Sequence, residues 1–368
     1  MTGVIVPNAE CRGPVFKRSV AVTSIRVVAV AVIACTCPAA GATEAARFTM
    51  INRGPLHALI GVPDGWNSNE PDGIELAWDI ASHAVGAATA AGPDAEFLVF
   101  DGETHALTLR LRYTVRPRLS VSLELPWIAQ SGGFLDRGID GWHDAFGLHE
   151  GIRPDLPTND LRYEYRRGNA PGVAVDHATS GVGDLRTGAA FRLGELSAEG
   201  VKLDLTAEVK WPTGDVDHLS GSGGTDVAIG ARLTDPAAGA SRLGWSLGAG
   251  VVRPGDADAP LPEPEDAIPY YDASVSWRAL ESLDLVLQLQ GQGATFDSAL
   301  KMLGEDSLQL GGGFLWRVHP GWEFVFSIFE DISIDTAPDF SAQFGLRWRP
   351  RTATGQRLRS STPGSPST

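Results

Sequence analysis

The sequence predicts an all-β protein: a transmembrane antiparallel β-barrel of about 12 strands, with short periplasmic turns and long extracellular loops. Three observations predict it. Apolar and polar residues alternate with period two through most of residues 74–348. Short and long connections take turns along the chain. Aromatic residues gather at the ends of the alternating segments.

The stretch 104–127 is the clearest. Leu107, Leu109, Leu111 and Tyr113 point one way, and Thr108, Arg110, Arg112 and Thr114 the other. After a break at Pro117, Leu119, Val121, Leu123 and Leu125 alternate with Ser120, Ser122 and Glu124. Period two over this length is a pair of strands joined by a tight turn. Arginines on one face and leucines on the other call for water or counter-charge inside and oil outside.

Residues 1–42 read as a cleaved signal peptide. Lys17, Arg18 and Arg26 precede the apolar run 27–35, and Ala40-Gly41-Ala42 follows; the run is too short to span a bilayer. All 3 cysteines, Cys11, Cys35 and Cys37, lie in this leader. The remainder therefore offers no disulfide, thiol nucleophile or thiolate metal site. The formal net charge is -15, and the leader carries four basic residues and one acidic, so the rest is more negative still. That excess argues against nucleic-acid partners.

Residues 43–73 are irregular and rich in turn signals, consistent with a periplasmic N-terminal segment or a plug that enters the barrel. The strand candidates from Ile74 onward are 74–85, 104–115, 119–127, 182–193, 201–211, 225–233, 243–252, 270–279, 283–293, 306–318, 322–330 and 338–348. The connections after the second, eighth and tenth are very short, whereas residues 128–181 form the longest. Short turns at one rim and long loops at the other are the layout of an outer-membrane barrel. Trp245, Trp277, Trp316, Trp322 and Trp348 fall at the predicted periplasmic ends, where indoles favour the headgroup level. Residues 349–368 are polar, basic and Pro/Ser-rich, which predicts a disordered tail.

Strand parity sends charged groups inward. The predicted lumen lining is Arg110, Arg112, Arg186, Arg192, Lys202, Lys210, Arg232, Arg278, Arg317 and Arg347, faced by Glu124, Asp184, Asp204, Glu208, Glu323 and by Glu75, Asp79, Asp226, Asp272 and Asp284. Such groups either pair and fill the interior or line a narrow water path. In the long loop, Phe134, Asp136, Asp140, Trp142, His143 and Phe146 form a candidate constriction, with Asp140 capping a short helix. His143, Asp144, His149 and Glu150 match no established ligand spacing, and no metal or cofactor is expected. His105 has the parity and depth of a lipid-facing catalytic histidine, but the sequence shows no serine and third group at a recognisable spacing. The expectation is a non-enzyme, with an outer-membrane lipid hydrolase as the catalytic alternative.

Several motifs carry a resemblance: 48–56 (FTMINRGPL), 131–136 (SGGFLD) with 139–148 (IDGWHDAFGL), 180–184 (SGVGD), 210–215 (KWPTGD) and 329–331 (FED). Together they resemble an uncharacterised bacterial outer-membrane β-barrel family, domain of unknown function 3187. The resemblance implies a barrel and an outer-membrane address. It implies no activity and supplies no site residues.

The expected surroundings are outer-membrane lipids and lipopolysaccharide, with barrel assembly machinery and periplasmic chaperones as partners during biogenesis. The expected function is porin-like passage of small solutes through a charge-lined lumen; a closed structural or surface-binding barrel is the alternative.

Overall fold

The structure is a computed structural model that describes residues 45–65, 72–89, 91–136, 138–139, 141, 156–170, 172–196, 200–235, 242–258, 260–333 and 336–349. The expected leader, and the expected basic tail beyond Arg349, lie outside these residues.

Twelve strands close on themselves: β1 (Gly73–Ala88), β2 (Glu96–Arg116), β3 (Leu119–Ser131), β7 (Leu185–Glu195), β8 (Lys202–Trp211), β9 (Asp226–Asp235), β10 (Leu243–Arg253), β11 (Ile268–Leu280), β12 (Leu283–Gln292), β13 (Ser307–His319), β14 (Trp322–Asp331) and β15 (Phe340–Trp348). All pair antiparallel with their neighbours, and β1 seals the barrel against β15 with Ile74 opposite Trp348 and Ser82 opposite Phe340. No barrel strand keeps a free edge, which is the condition for backbone to cross hydrocarbon. Three short strands, β4 (Arg162–Arg167), β5 (Val173–Val175) and β6 (Thr179–Val182), lie within the long β3–β7 connection.

Burial is inverted relative to a water-soluble protein. Leu109 is 38% exposed while its neighbour Arg110 is 2% exposed. Trp127, Trp211, Trp316, Trp322 and Trp348 are likewise exposed on the outside. The strands thus present apolar and aromatic side chains to lipid and fold ionic groups inward, the pattern of a transmembrane barrel. Turns at Pro117-Arg118, Glu281-Ser282 and Pro320-Gly321 define the short-turn rim; at the last, Gly321 has φ +88°, a value that favours glycine.

Residues 45–65 lie inside the barrel. The segment rises from the short-turn rim, where Ala46 N donates to Ser276 Oγ at 3.1 Å. It turns at a 3₁₀ turn, His57–Leu59, at the long-loop rim. It then descends until Asp64 meets Arg110. Phe48, Thr49 and Leu56 are fully buried within it. Outside its turn the irregular segment leaves backbone groups that it does not satisfy itself, so it needs partners from the wall.

A hydrophobic core caps the long-loop mouth. Leu56, Leu59 and Ile60 from the plug tip join Leu98 and Phe100 of β2, Tyr163 and Tyr165 of β4, and Phe296, Leu300, Met302 and Leu303 of the β12–β13 connection. The upper part of β2 runs past the barrel and pairs with β4, Phe100 opposite Tyr163. Arg162, Glu164 and Arg166 alternate outward with these inward tyrosines.

Candidate functional site: the plugged lumen

The wall supplies what the plug lacks. Lys210 Nζ donates to Leu59 O at 2.8 Å, and Arg186 donates to Val62 O at 2.7 Å and Ile60 O at 3.2 Å. Gly61 N donates to Asp226 Oδ2 at 2.7 Å, and Arg110 donates to Thr49 O at 3.3 Å. Arg53 pairs with Asp79, and Asp64 with Arg47, Arg110 and Arg112. Lower down, Phe48 packs edge-on against Phe329 at 5.9 Å, beside Met50, Val286, Leu315 and Val325. Inward glycines make the room: a Cβ on Gly311 would stand 2.3 Å from the Phe329 ring.

The predicted lumen residues form a belt of ion pairs between neighbouring strands, rather than contacts reaching across the lumen. Arg110 faces Glu124 at 3.5 Å and Glu75 at 3.7 Å, and Arg112 faces Glu75 at 3.2 Å. Arg347 joins Glu75 at 3.0 Å to Glu323 at 3.4 Å. Arg317 reaches Glu323 at 4.0 Å and Asp284 at 2.6 Å, and Asp284 also holds Arg278 at 2.9 Å. On the other arc, Arg186 faces Glu208 at 3.9 Å, Lys210 holds Asp184 at 2.9 Å and Asp226 at 3.2 Å, and Arg192 faces Asp204 at 3.8 Å. Arg232 of β9 departs from that rule and reaches over Gly248 of β10 to Asp272 of β11. Lys202 is half-buried at the short-turn end of β8.

Above this belt, strands β12–β15 carry neutral inward groups: Gln288, Gln290, Gln309, Ser327, Ser341 and Gln343. A cavity of about 30 Å³ lies between the plug and β11–β13, bounded by Asn52, Asp272, Gln288, Gln290, Gln292 and Gln309 among others. A second, of about 20 Å³, lies on the charged side near Arg53, Arg110 and Glu124.

The candidate constriction loop is placed differently from expectation where it is described. Phe134 is 62% exposed and stacks on His105 at 6.3 Å, on the outer surface of the wall and not in the lumen. The cause is local. Glu103 Oε1 accepts Phe134 N at 2.8 Å and Leu135 N at 2.6 Å, which turns the start of the loop outward. Asp136 accepts Asn159 N at 2.6 Å and ties the two ends of the loop together. Asp140, Trp142, His143 and Phe146 lie outside the described residues, as do Asp144, His149 and Glu150.

His105 does meet a serine and a carboxylate. Its Nε2 lies 3.3 Å from Ser131 Oγ and 3.3 Å from Glu103 Oε2, between the rings of Trp78 and Phe134. Both partners share one nitrogen. A Ser–His–acid relay uses both nitrogens, one for the hydroxyl and one for the acid. The contacts tie the start of the loop to the wall. Among the described residues no group of three metal-ligating side chains comes together.

Sequence reasoning missed the path of the plug and the β4–β6 extension. A signal for the plug was present, since Phe48, Met50, Leu56 and Ile60 place bulky apolar groups in a stretch without strand periodicity.

These features define an outer-membrane β-barrel whose lumen is filled by its own N-terminal segment. The chain belongs to the family described as protein of unknown function DUF3187, which matches residues 23–349. No curated protein matches it. Among solved structures it is similar to the COG4313 outer membrane channel from Pseudomonas putida F1, with 14% identity and a TM-score of 0.51 over 78% of this chain and 98% of that one. The NanC porin (7% identity, TM-score 0.42, 75% of this chain and 100% of that one) and the KdgM porin (8%, 0.39, 75% and 99%) are more distant. At such identity the first likeness speaks to the fold alone.

Proposed function

We propose that this protein is a gated outer-membrane channel. Residues 45–65 close it at rest, and small polar solutes pass when that segment shifts. One observation carries the reading: an irregular segment occupies the lumen, held by hydrogen bonds from ionic and amide side chains. Eight strands already leave an interior that side chains can fill, and twelve enclose more. A barrel built only for rigidity has no need of a separate filler. Export through the leader 1–42, contact of the outer belt with lipid and lipopolysaccharide, and insertion by assembly machinery and chaperones belong to the same reading. Catalysis does not.

Recording in planar bilayers tests it. The full chain should be silent or open rarely, whereas deletion of 45–65 should give a steady ohmic pore. Silence from both would favour the second reading, a closed structural or surface-binding barrel. The apolar cap across the outer mouth and the pairing of the lumen charges favour that alternative.

A further inference from the structure

We propose that the cavity between the plug and β11–β13 is a binding site for a small uncharged molecule whose hydroxyl or carbonyl oxygens accept hydrogen bonds. The argument starts from an amide ladder. Phe48 N is a backbone donor, and at 2.9 Å it requires Gln288 to present its oxygen. That choice fixes the orientation of every amide beyond it, because a flipped amide would set donor against donor. Gln288 Nε2 then donates to Gln290 Oε1 at 3.3 Å, and Gln290 Nε2 donates to Gln309 Oε1 at 3.0 Å. The ladder ends on Gln309 Nε2, a donor with no acceptor among the described residues. Gln309 is 1% exposed and lines the cavity. The nearest carboxylate opposite it in register, Asp331, is engaged by Ser333 N, Thr336 N and Ala337 N. A buried donor without a partner is costly, so an acceptor belongs there.

The surroundings choose the charge of that acceptor. Asp272 is held by Arg232, and Asp64 lies among Arg47, Arg110 and Arg112. The remaining polar lining consists of amides and hydroxyls, including Gln292, Ser307 and Tyr270. An ion entering would lose hydration without meeting a free counter-charge, whereas a neutral polyol or sugar exchanges water hydrogen bonds for amide ones. At rest the space suits one or two waters. A larger solute enters as the two limbs of the plug part. Binding rests on the plug movement of the channel reading, and passage of the bound solute through the wall is the further claim that the liposome assay separates from it.

The test uses the full chain in detergent, with arabinose as the neutral probe and sodium gluconate as the charged one. Site binding raises Tm along a saturating curve, whereas solute exclusion raises it without saturation and equally in all variants. The expected result is a saturable arabinose effect in the native chain, lost in both Gln309→Leu and Gln309→Glu, with no saturable gluconate effect. A non-saturating rise in the native chain overturns the site even if neither variant folds. Swelling of liposomes carrying Phe48→Ala, in which the plug loosens but both walls of the cavity remain, separates the two claims. A saturable Tm effect without arabinose entry leaves the site and removes the channel, and entry of gluconate as fast as arabinose removes the selectivity.

Discussion

Replacing Phe48 by alanine should release the plug while leaving the barrel closed. Phe48 is fully buried, and its partners are Met50 in the plug and Val286, Leu315, Val325 and Phe329 on the wall. Truncating a buried phenylalanine costs about 3–5 kcal/mol when the gap stays empty. Water can follow the plug into a polar lumen, so the low end, about 3 kcal/mol, is the better figure here. Every 1.4 kcal/mol is a factor of ten, so the plug-out population should rise by roughly 100-fold. Arg53 reports it, because it is buried against Asp79 and reaches trypsin only when the segment leaves. Where opening is fast relative to cleavage, the rate of cutting after Arg53 tracks that population. The native chain should resist, the variant should be cut roughly 100-fold faster, and the heat-modifiable gel mobility of the barrel should not change. Rapid cutting of the native chain, or equal rates in the two, would refute the placement of the plug.

Three further outcomes are expected. Lys210→Met strands Asp184, Asp226 and the Leu59 carbonyl; losing one partner of such a buried group costs roughly 3–5 kcal/mol, and urea titration should show it, with partial recovery in Lys210→Met/Asp226→Asn. Leu109→Arg places a charge on the exposed outer face and should cost roughly 2–4 kcal/mol or block assembly, and normal folding into liposomes would mean the two faces are reversed. His57 sits at the plug tip against Phe296 and Met302, and burial holds its imidazole down to about 4, with a hydrogen bond to Met302 opposing that shift. A depressed histidine pKa favours the neutral form in the docked state. The undocked tip therefore binds more protons between about pH 6.5 and 4, and docking weakens as pH falls through that window. Amide exchange at Leu56–Leu59, corrected for its intrinsic rate, should quicken from pH 7 to 5 in the native chain and not in His57→Leu.

Most of the wall was readable because a lipid-facing strand has one job per face. The alternation from Leu107 to Leu125 placed β2 and β3, and the same rule placed the other ten strands within a few residues, since a one-residue slip would put arginine into oil. Parity also set the inward side of Arg110, Glu124, Asp184 and Lys210. Their partners were not readable, because pairing depends on which neighbour lies opposite and on the plug between them. Asp64 shows this: nothing in its turn-like surroundings points to three arginines. The β4 strand was legible in hindsight, since Arg162-Tyr163-Glu164-Tyr165-Arg166 alternates cleanly inside what reads as loop. Phe134 went the other way from expectation because an aromatic in a long loop can cover the mouth or the wall. The choice lay with Glu103, whose inter-strand position is not a sequence pattern.

A reversible lock tests the central claim most directly. Asn52 Nδ2 lies 3.1 Å from Ser307 Oγ, so Asn52→Cys/Ser307→Cys sets one thiol on the plug facing one on the wall; the described residues contain no other cysteine, and loss of free thiol on oxidation checks that the bond has formed. Single-channel recording should show no openings while the disulfide is intact and openings within the same patch after reduction. Equal current before and after reduction would contradict the claim that residues 45–65 must move for anything to pass.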